Sequence, residues 1–194
     1  METSSTKNSK AAWAVLAGLA PLYVFSSGLF IGLALGITFL IVHSAASTIA
    51  LLLPARFGHI RVYALALLGA AVAASIVASI VRLLDPLLFE LSYHRIFLVV
   101  FTIPVLRAAK MPSSMVERER AFENIVKGLG YGLSVIVFAS LREFLASGTI
   151  SIQAEVAYAS LLPLFAQPAG ALILLGLLAA GFRAVMSAAK GSES

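Results

Sequence analysis

The chain has 194 residues, is 60% hydrophobic with a mean hydropathy of +0.99, and carries only 12% charged residues. A water-soluble domain could not bury so much apolar surface, so the composition predicts an integral membrane protein. The net charge of +5 gives no indication of nucleic-acid binding, because basic and aromatic residues do not alternate on a soluble face. The absence of cysteine excludes disulfides, thiolate metal sites, cysteine-ligated iron–sulfur clusters and thiol catalysis.

Hydrophobic runs predict six transmembrane helices, because a bilayer core of roughly 30 Å requires about 20 apolar residues per helix. Residues 1–10 resemble the basic start of a signal peptide, but no small-residue cleavage site precedes Pro21, so we predict a retained first helix. The chain is interpreted as one domain, 1–194, with an all-α membrane fold. The predicted spans are residues 11–25, 29–53, 63–84, 91–107, 125–146 and 160–186.

The distribution of basic residues predicts the orientation. With six spans, both termini lie on the same side of the membrane. Eleven of the 14 lysines and arginines fall on that side, and only Arg82, Arg95 and Arg142 fall on the other. The positive-inside rule therefore places both termini in the cytoplasm.

The two halves of the chain, about 11–84 and 91–186, resemble each other. "LAPLYV" near the start of the first half is similar to "TIPVLR" in the second, and "GLALGITFLIVHS" (32–44) parallels "GLGYGLSVIVFAS" (128–140) at a constant offset of 96 residues. Since three helices return the second half in the opposite orientation, the pattern predicts two inverted three-helix repeats.

Prolines are predicted to interrupt the first and fourth helices. Pro21 and Pro104 each remove a backbone hydrogen bond and clash with the preceding turn. In lipid the freed carbonyls need protein or water as partners, so we expect two broken helices that meet inside the bundle. The glycines that follow allow close approach of backbones, and plain helix packing is the alternative explanation for them.

Charged residues within the spans are few. Arg142 and Glu143 lie at the far end of the fifth span, where charges mark ion paths or paired sites, unless they reach the lipid headgroups. Glu123 is a third ion-path candidate, although an ion pair with Lys127 one turn later is the simpler interpretation. No histidine stands in a zinc-binding pattern, so we expect loop or interface imidazoles and no metal site. The histidines are His43, His59 and His94.

Longer motifs resemble a known family. "GLGYGLSVIVFASLREFLASGTI" (128–150) is similar to the signature of the Rnf/Nqr membrane subunits, a glycine-rich span followed by Leu-Arg-Glu and then Gly-Thr. "GLAPLYV" (18–24) resembles the start of their first span, and "QPAGALILLGLLAAG" (167–181) resembles their last. The resemblance covers nearly the whole chain, and cytoplasmic termini fit best the branch that contains the D-type Nqr and E-type Rnf chains.

The resemblance implies a membrane subunit of an ion-translocating oxidoreductase in a bacterial cytoplasmic (inner) membrane. Such complexes move electrons between NAD(H), ferredoxin or quinone and pump sodium ions or protons. It also implies partners: a homologous six-helix subunit of opposite topology, other Rnf/Nqr-type subunits, and membrane lipid. In the family, the broken helices of the two homologous subunits together supply four cysteines to a two-iron two-sulfur cluster.

The sequence departs from the family at these cysteines. The first family cysteine precedes the proline of the first span, where this chain has Ala20, and the second lies near "FTIPVL", where it has Ile103 or Pro104. We therefore expect no cluster bound by this chain and interpret it as a divergent, non-catalytic subunit. The acidic residue of the family before its glycines aligns with Glu123. A small-molecule or ion transporter component, and a purely structural membrane scaffold, are the alternatives.

Overall fold

The computed structural model describes residues 18–53, 58–108, 117–150 and 162–191. All regular structure in these ranges is helical, as the sequence predicts. The helices are α1 (the part within 18–25), α2 (Leu29–Leu52), α3 (His59–Leu84), α4 (Pro86–Leu98), a 3₁₀ turn (Val99–Phe101), α5 (Ile103–Ala108), α6 (Glu117–Ser147), α7 (Pro163–Ala166) and α8 (Pro168–Gly191).

Four segments are long and apolar enough to cross a membrane, and they confirm the predicted second to fifth spans. Residues 11–17 of the first predicted span lie outside the described residues, and residues 18–25 are helical. The sixth begins later than predicted, because Pro163 and Pro168 each start a separate helix and divide the segment, leaving Pro168–Gly181 as a shorter apolar helix. The four spans are Leu29–Leu52, Ile60–Leu84, Pro86–Leu106 and Glu123–Ser147.

The surface of the bundle carries many large apolar side chains, unlike that of a soluble protein, and its mostly apolar interior also contains polar side chains. On α3, Leu68, Val72 and Ile76 recur at four-residue spacing and are 62%, 52% and 55% exposed. Arg142 and Asn124, in contrast, are buried. A helix face of this kind is stable in contact with lipid or with another membrane protein.

The centre of the fold is the contact between α2 and α6, which run antiparallel. A Cβ atom added to Gly36 would lie 2.9 Å from the carbonyl oxygen of Gly132, and one added to Gly132 would lie 2.9 Å from the oxygen of Gly36. The two backbones therefore touch at this crossing, which only glycine permits. Helix α2 also packs against α3 and α5, while α7 packs against α6 and α8 against α7.

The first interruption lies after Pro21 and not at it. The helix continues past Pro21 to residue 25, and the chain is non-helical at 26–28 before α2 begins. Ser26 Oγ donates a hydrogen bond to the carbonyl of Tyr23, 3.0 Å away, and Gly28 is fully extended, with φ −164° and ψ 172°. The prediction of a break at Pro21 is therefore wrong by about five residues.

The second interruption precedes Pro104. Thr102 is extended, with φ −71° and ψ 144°, and its Oγ1 donates to the carbonyl of Val99 at 2.8 Å. Pro104 is the second residue of α5, in the first turn, where the missing N–H has no intrahelical partner in any case. Pro104 thus starts a helix, and the break is made by Thr102.

Candidate functional site at the interrupted helices

The interruption between α1 and α2 leaves backbone polar groups without helical partners. The last carbonyls of α1 and the first N–H groups of α2 are both affected. In a membrane such groups must be satisfied by protein or by enclosed water. The adjacent residues Arg142 and Glu143 of α6 supply this satisfaction.

Arg142 binds the ends of two helices. Its side chain is only 1% exposed. Nη1 donates to the carbonyls of Val24 at 2.8 Å and Ser26 at 3.0 Å, at the end of α1. Nε donates to Phe165 O at 2.7 Å and Nη2 to Ala166 O at 3.0 Å, at the end of α7. A cation at two helix C-termini is favoured by both helix dipoles, so the guanidinium joins α1, α6 and α7.

Glu143 binds the opposite kind of helix end. Its Oε2 accepts a hydrogen bond from the backbone N–H of Leu29, the first residue of α2, at 2.6 Å. A Cβ atom added to Gly28 would lie 3.4 Å from this oxygen, so the carboxylate lies directly over the start of the helix. The negative charge thus complements the positive end of the α2 dipole. Together, two consecutive residues of one helix stabilise both sides of the interruption.

Further contacts fix α1 against α6. The hydroxyl of Tyr23 and that of Ser134 are 2.9 Å apart, and the Tyr23 ring centroid lies 4.6 Å from that of Phe138. Tyr23 is itself buried, 2% exposed. The position of α1 is therefore determined by side chains along α6, and Arg142 lies next to the C-terminal end of α1.

Replacing Glu143 by alanine is expected to lower the free energy of unfolding by about 1–2 kcal/mol, because it removes a carboxylate cap from the first turn of α2. Glu143→Gln is the matched control, since it keeps an oxygen acceptor of nearly the same shape and should lose only the charge contribution. Thermal stability of the purified variants in detergent is the measurement. Equal stability of Glu143→Ala and the native chain would contradict the capping role.

The structure separates the predicted ion-path residues. Glu123 forms the expected ion pair with Lys127, with each side chain 42% exposed, and its place in an ion path stays a prediction. The Arg142 side chain turns inward and is buried among the helices. Twenty residues of α6 separate Glu123 from Glu143, which is about 30 Å along a helix. The candidates therefore do not form one cluster.

The two half-helices that would carry the family cysteines do meet. A Cβ atom added to Gly18 of α1 would lie 2.6 Å from Cβ of Ile103 at the start of α5. However, the side chains of Ala20, Ile103 and Pro104 offer no sulfur or nitrogen ligand, so this site does not fit an iron–sulfur cluster. Across the described ranges, no group of three or more histidine or acidic residues could hold a metal ion.

Sequence reasoning missed a pair of buried polar residues. His43 was expected in a loop or at an interface, but it lies within α2 and is 3% exposed. Asn124 on α6 is 2% exposed. The signal that could have found His43 is its place inside a continuous apolar run, where a polar side chain must face the protein interior.

Comparison with known proteins agrees with this architecture. The sequence model of the family described as "Rnf-Nqr subunit, membrane protein" matches residues 3–179. No curated protein matches the chain. Because the family match covers most of the sequence and the described helices include four candidate spans, the chain is a multi-pass membrane protein that belongs to the Rnf-Nqr membrane-subunit family.

Proposed function

We propose that this chain is a membrane subunit of an Rnf/Nqr-type ion-translocating electron-transport complex and that it carries no iron–sulfur cluster of its own. The observation that carries the proposal is the combination found at the interrupted helices. The interruption after α1 is stabilised by Arg142 and Glu143, while Ala20, and Ile103 or Pro104, stand where the resemblance implies the family cysteines. Electrons would then pass through other chains of the complex.

The proposed fold is a single domain of six spans in two inverted repeats. Support comes from contacts related by the offset of 96 residues. Gly32 packs against Ala139, and Gly128 packs against His43. The offset of 96 residues relates Gly32 to Gly128 and His43 to Ala139, so the two contacts are equivalent. At the crossing between these contacts, each backbone approaches the other at equivalent positions, as expected if a pseudo-two-fold axis relates the two halves.

The proposed setting is a bacterial cytoplasmic membrane, with both termini in the cytoplasm and a homologous six-helix partner of opposite topology. The excess of lysine and arginine on the side of the termini supports the orientation. Membership in the family supports assembly with other subunits. Apolar side chains exposed on α3 and α8 offer surface for lipid and for such partners.

Within the complex, the proposed role is to hold the membrane scaffold and to contribute to ion movement. Arg142 and Glu143 are hydrogen-bonded to backbone groups at helix ends, which supports a structural role for both. Glu123 stays the ion-path candidate, because its half-exposed side chain lies at the end of a span beside Lys127. A coupling ion leaving water would meet this acidic group before it met the apolar part of the contact between α2 and α6.

Affinity purification from native membranes in mild detergent, with mass spectrometry of the recovered chains, tests the proposal. We expect a homologous six-helix subunit together with flavin and iron–sulfur subunits. Recovery of the chain alone, or with an ATPase, would contradict membership in a redox pump. An interrupted helix at residues 26–28 is also a device of transporters, so an ATPase partner would favour a transporter component instead.

A further inference from the structure

Two polar side chains lie inside the contact between α2 and α6. A Cβ atom added to Gly128 would be 2.9 Å from Cδ2 of the His43 ring, so the ring lies directly against this part of α6. Asn124 is one helical turn before Gly128 and therefore shares the same face of α6. His43 and Asn124 are buried, 3% and 2% exposed, in a seam otherwise lined by apolar and small residues.

Polar side-chain atoms of both residues lack a partner at hydrogen-bond distance and angle among the described residues. Both ring nitrogens of His43 and Nδ2 of Asn124 are buried and make no hydrogen bond among the described residues. The nearest rings are Phe39, stacked at 5.5 Å between centroids, and Tyr131, edge-on at 6.0 Å. Three orphaned polar atoms at one place are costly in a membrane, and bound water is the usual way in which such groups are satisfied.

Charged groups lie beside this pair. Glu123 and Lys127 flank Asn124 on α6, and their ion pair is about half-exposed, so it remains in contact with the outside of the bundle. The backbone of Asn124 approaches the His43 ring without reaching hydrogen-bond geometry, and Lys127 lies near enough for its charge to act on the ring. Polar groups thus continue from the surface at the Glu123 end of α6 to the buried imidazole.

We propose that His43 and Asn124 line a water-filled site in the seam between α2 and α6, which is reached from the Glu123 end of α6. Water there donates to and accepts from the ring nitrogens and accepts from Nδ2 of Asn124. The site lies apart from the helix ends held by Arg142 and Glu143, and its existence does not depend on the proposed redox complex. It brings water to the buried imidazole of His43.

The absence of native cysteine permits a direct test, because every introduced thiol is the only one in the chain. Single variants His43→Cys and Asn124→Cys are reconstituted in liposomes. They are then treated with 2-aminoethyl methanethiosulfonate, present on both sides of the bilayer. The reagent reacts with thiolate, which forms where water reaches the sulfur. Matched controls are Leu35→Cys, two turns away on α2 and fully buried, and Ile37→Cys, 48% exposed on the outer surface of the bundle.

We expect His43→Cys and Asn124→Cys to react at least tenfold faster than both controls, with Glu123→Cys reacting fastest. Reaction of His43→Cys at the rate of Leu35→Cys would overturn the proposal, and so would equally fast reaction of all variants. Hydroxyl-radical footprinting of the unmodified chain guards against misfolded variants, since the radicals form from water in place. We expect His43 to be oxidised to the same extent as the exposed His94. A His43 that is not oxidised would also overturn the proposal.

Discussion

Arg142→Ala is expected to lower the free energy of unfolding by about 4 kcal/mol or more, among the largest effects of any single substitution in this chain. The variant loses four charge-assisted hydrogen bonds and leaves the carbonyls of Val24, Ser26, Phe165 and Ala166 to be satisfied by other means. In the membrane interior few other means exist, so α1 and α7 should detach from α6. The measurement is the fraction of purified protein that stays monodisperse in detergent after stepwise heating.

Two variants make the interpretation of Arg142 specific. Arg142→Lys keeps the charge, but one ammonium cannot match the planar fork that reaches two helix ends, so most of the stability should still be lost. Arg82→Ala removes an exposed arginine whose guanidinium lies 5.8 Å from the Phe89 ring, and it should cost only about 0.5–1 kcal/mol. If Arg142→Ala and Arg82→Ala are equally stable, the proposed joining of helix ends is wrong.

Gly132→Ala and Gly36→Ala are each expected to destabilise the fold by about 1–3 kcal/mol, because a methyl group at either position forces α2 and α6 apart. The added atom would lie 2.9 Å from a backbone oxygen, which cannot move aside as a flexible side chain would. The same heating assay measures the loss. The double variant should lose less than the sum of the two, since helices already separated accommodate the second methyl group.

Gly130→Ala is the matched control for this crossing. Gly130 is in the same helix two residues away, and a Cβ atom there would meet nothing within 4 Å. Alanine favours a helix over glycine by about 1 kcal/mol, so Gly130→Ala should be neutral or slightly stabilising. Opposite signs at Gly130 and Gly132 are expected because only one of them touches α2. Equal losses of stability at both positions would show that the destabilisation does not come from the close contact between α2 and α6.

The sequence was sufficient to predict the class of fold and most of the spans, because each span is a long apolar run of the length needed to cross a bilayer. The constant offset between the glycine-rich segments also corresponds to real contacts, since Gly36 and Gly132 lie at the point where the helices cross. Leu-Arg-Glu after those glycines was the most specific motif, and it lies at the interruption of the first helix.

What the sequence could not supply was the direction of individual side chains. Arg142 lies near a helix end, and that position alone does not distinguish a side chain that reaches water from one that turns inward. Its partner Val24 is 118 residues away in the chain, so no local pattern announces their hydrogen bond. The break near Pro21 was misplaced for a similar reason, because the residues that end α1 are stabilised by a helix distant in sequence.

Our central proposal is that this chain retains the interrupted helices of its family but binds no cluster at them. The most direct test is the iron content, with the electron paramagnetic resonance spectrum after reduction, of the pair formed by this chain and its co-purified six-helix partner, separated from the other subunits. We expect no iron and no two-iron two-sulfur signal in that pair. A stoichiometric two-iron cluster in the isolated pair would contradict the proposal.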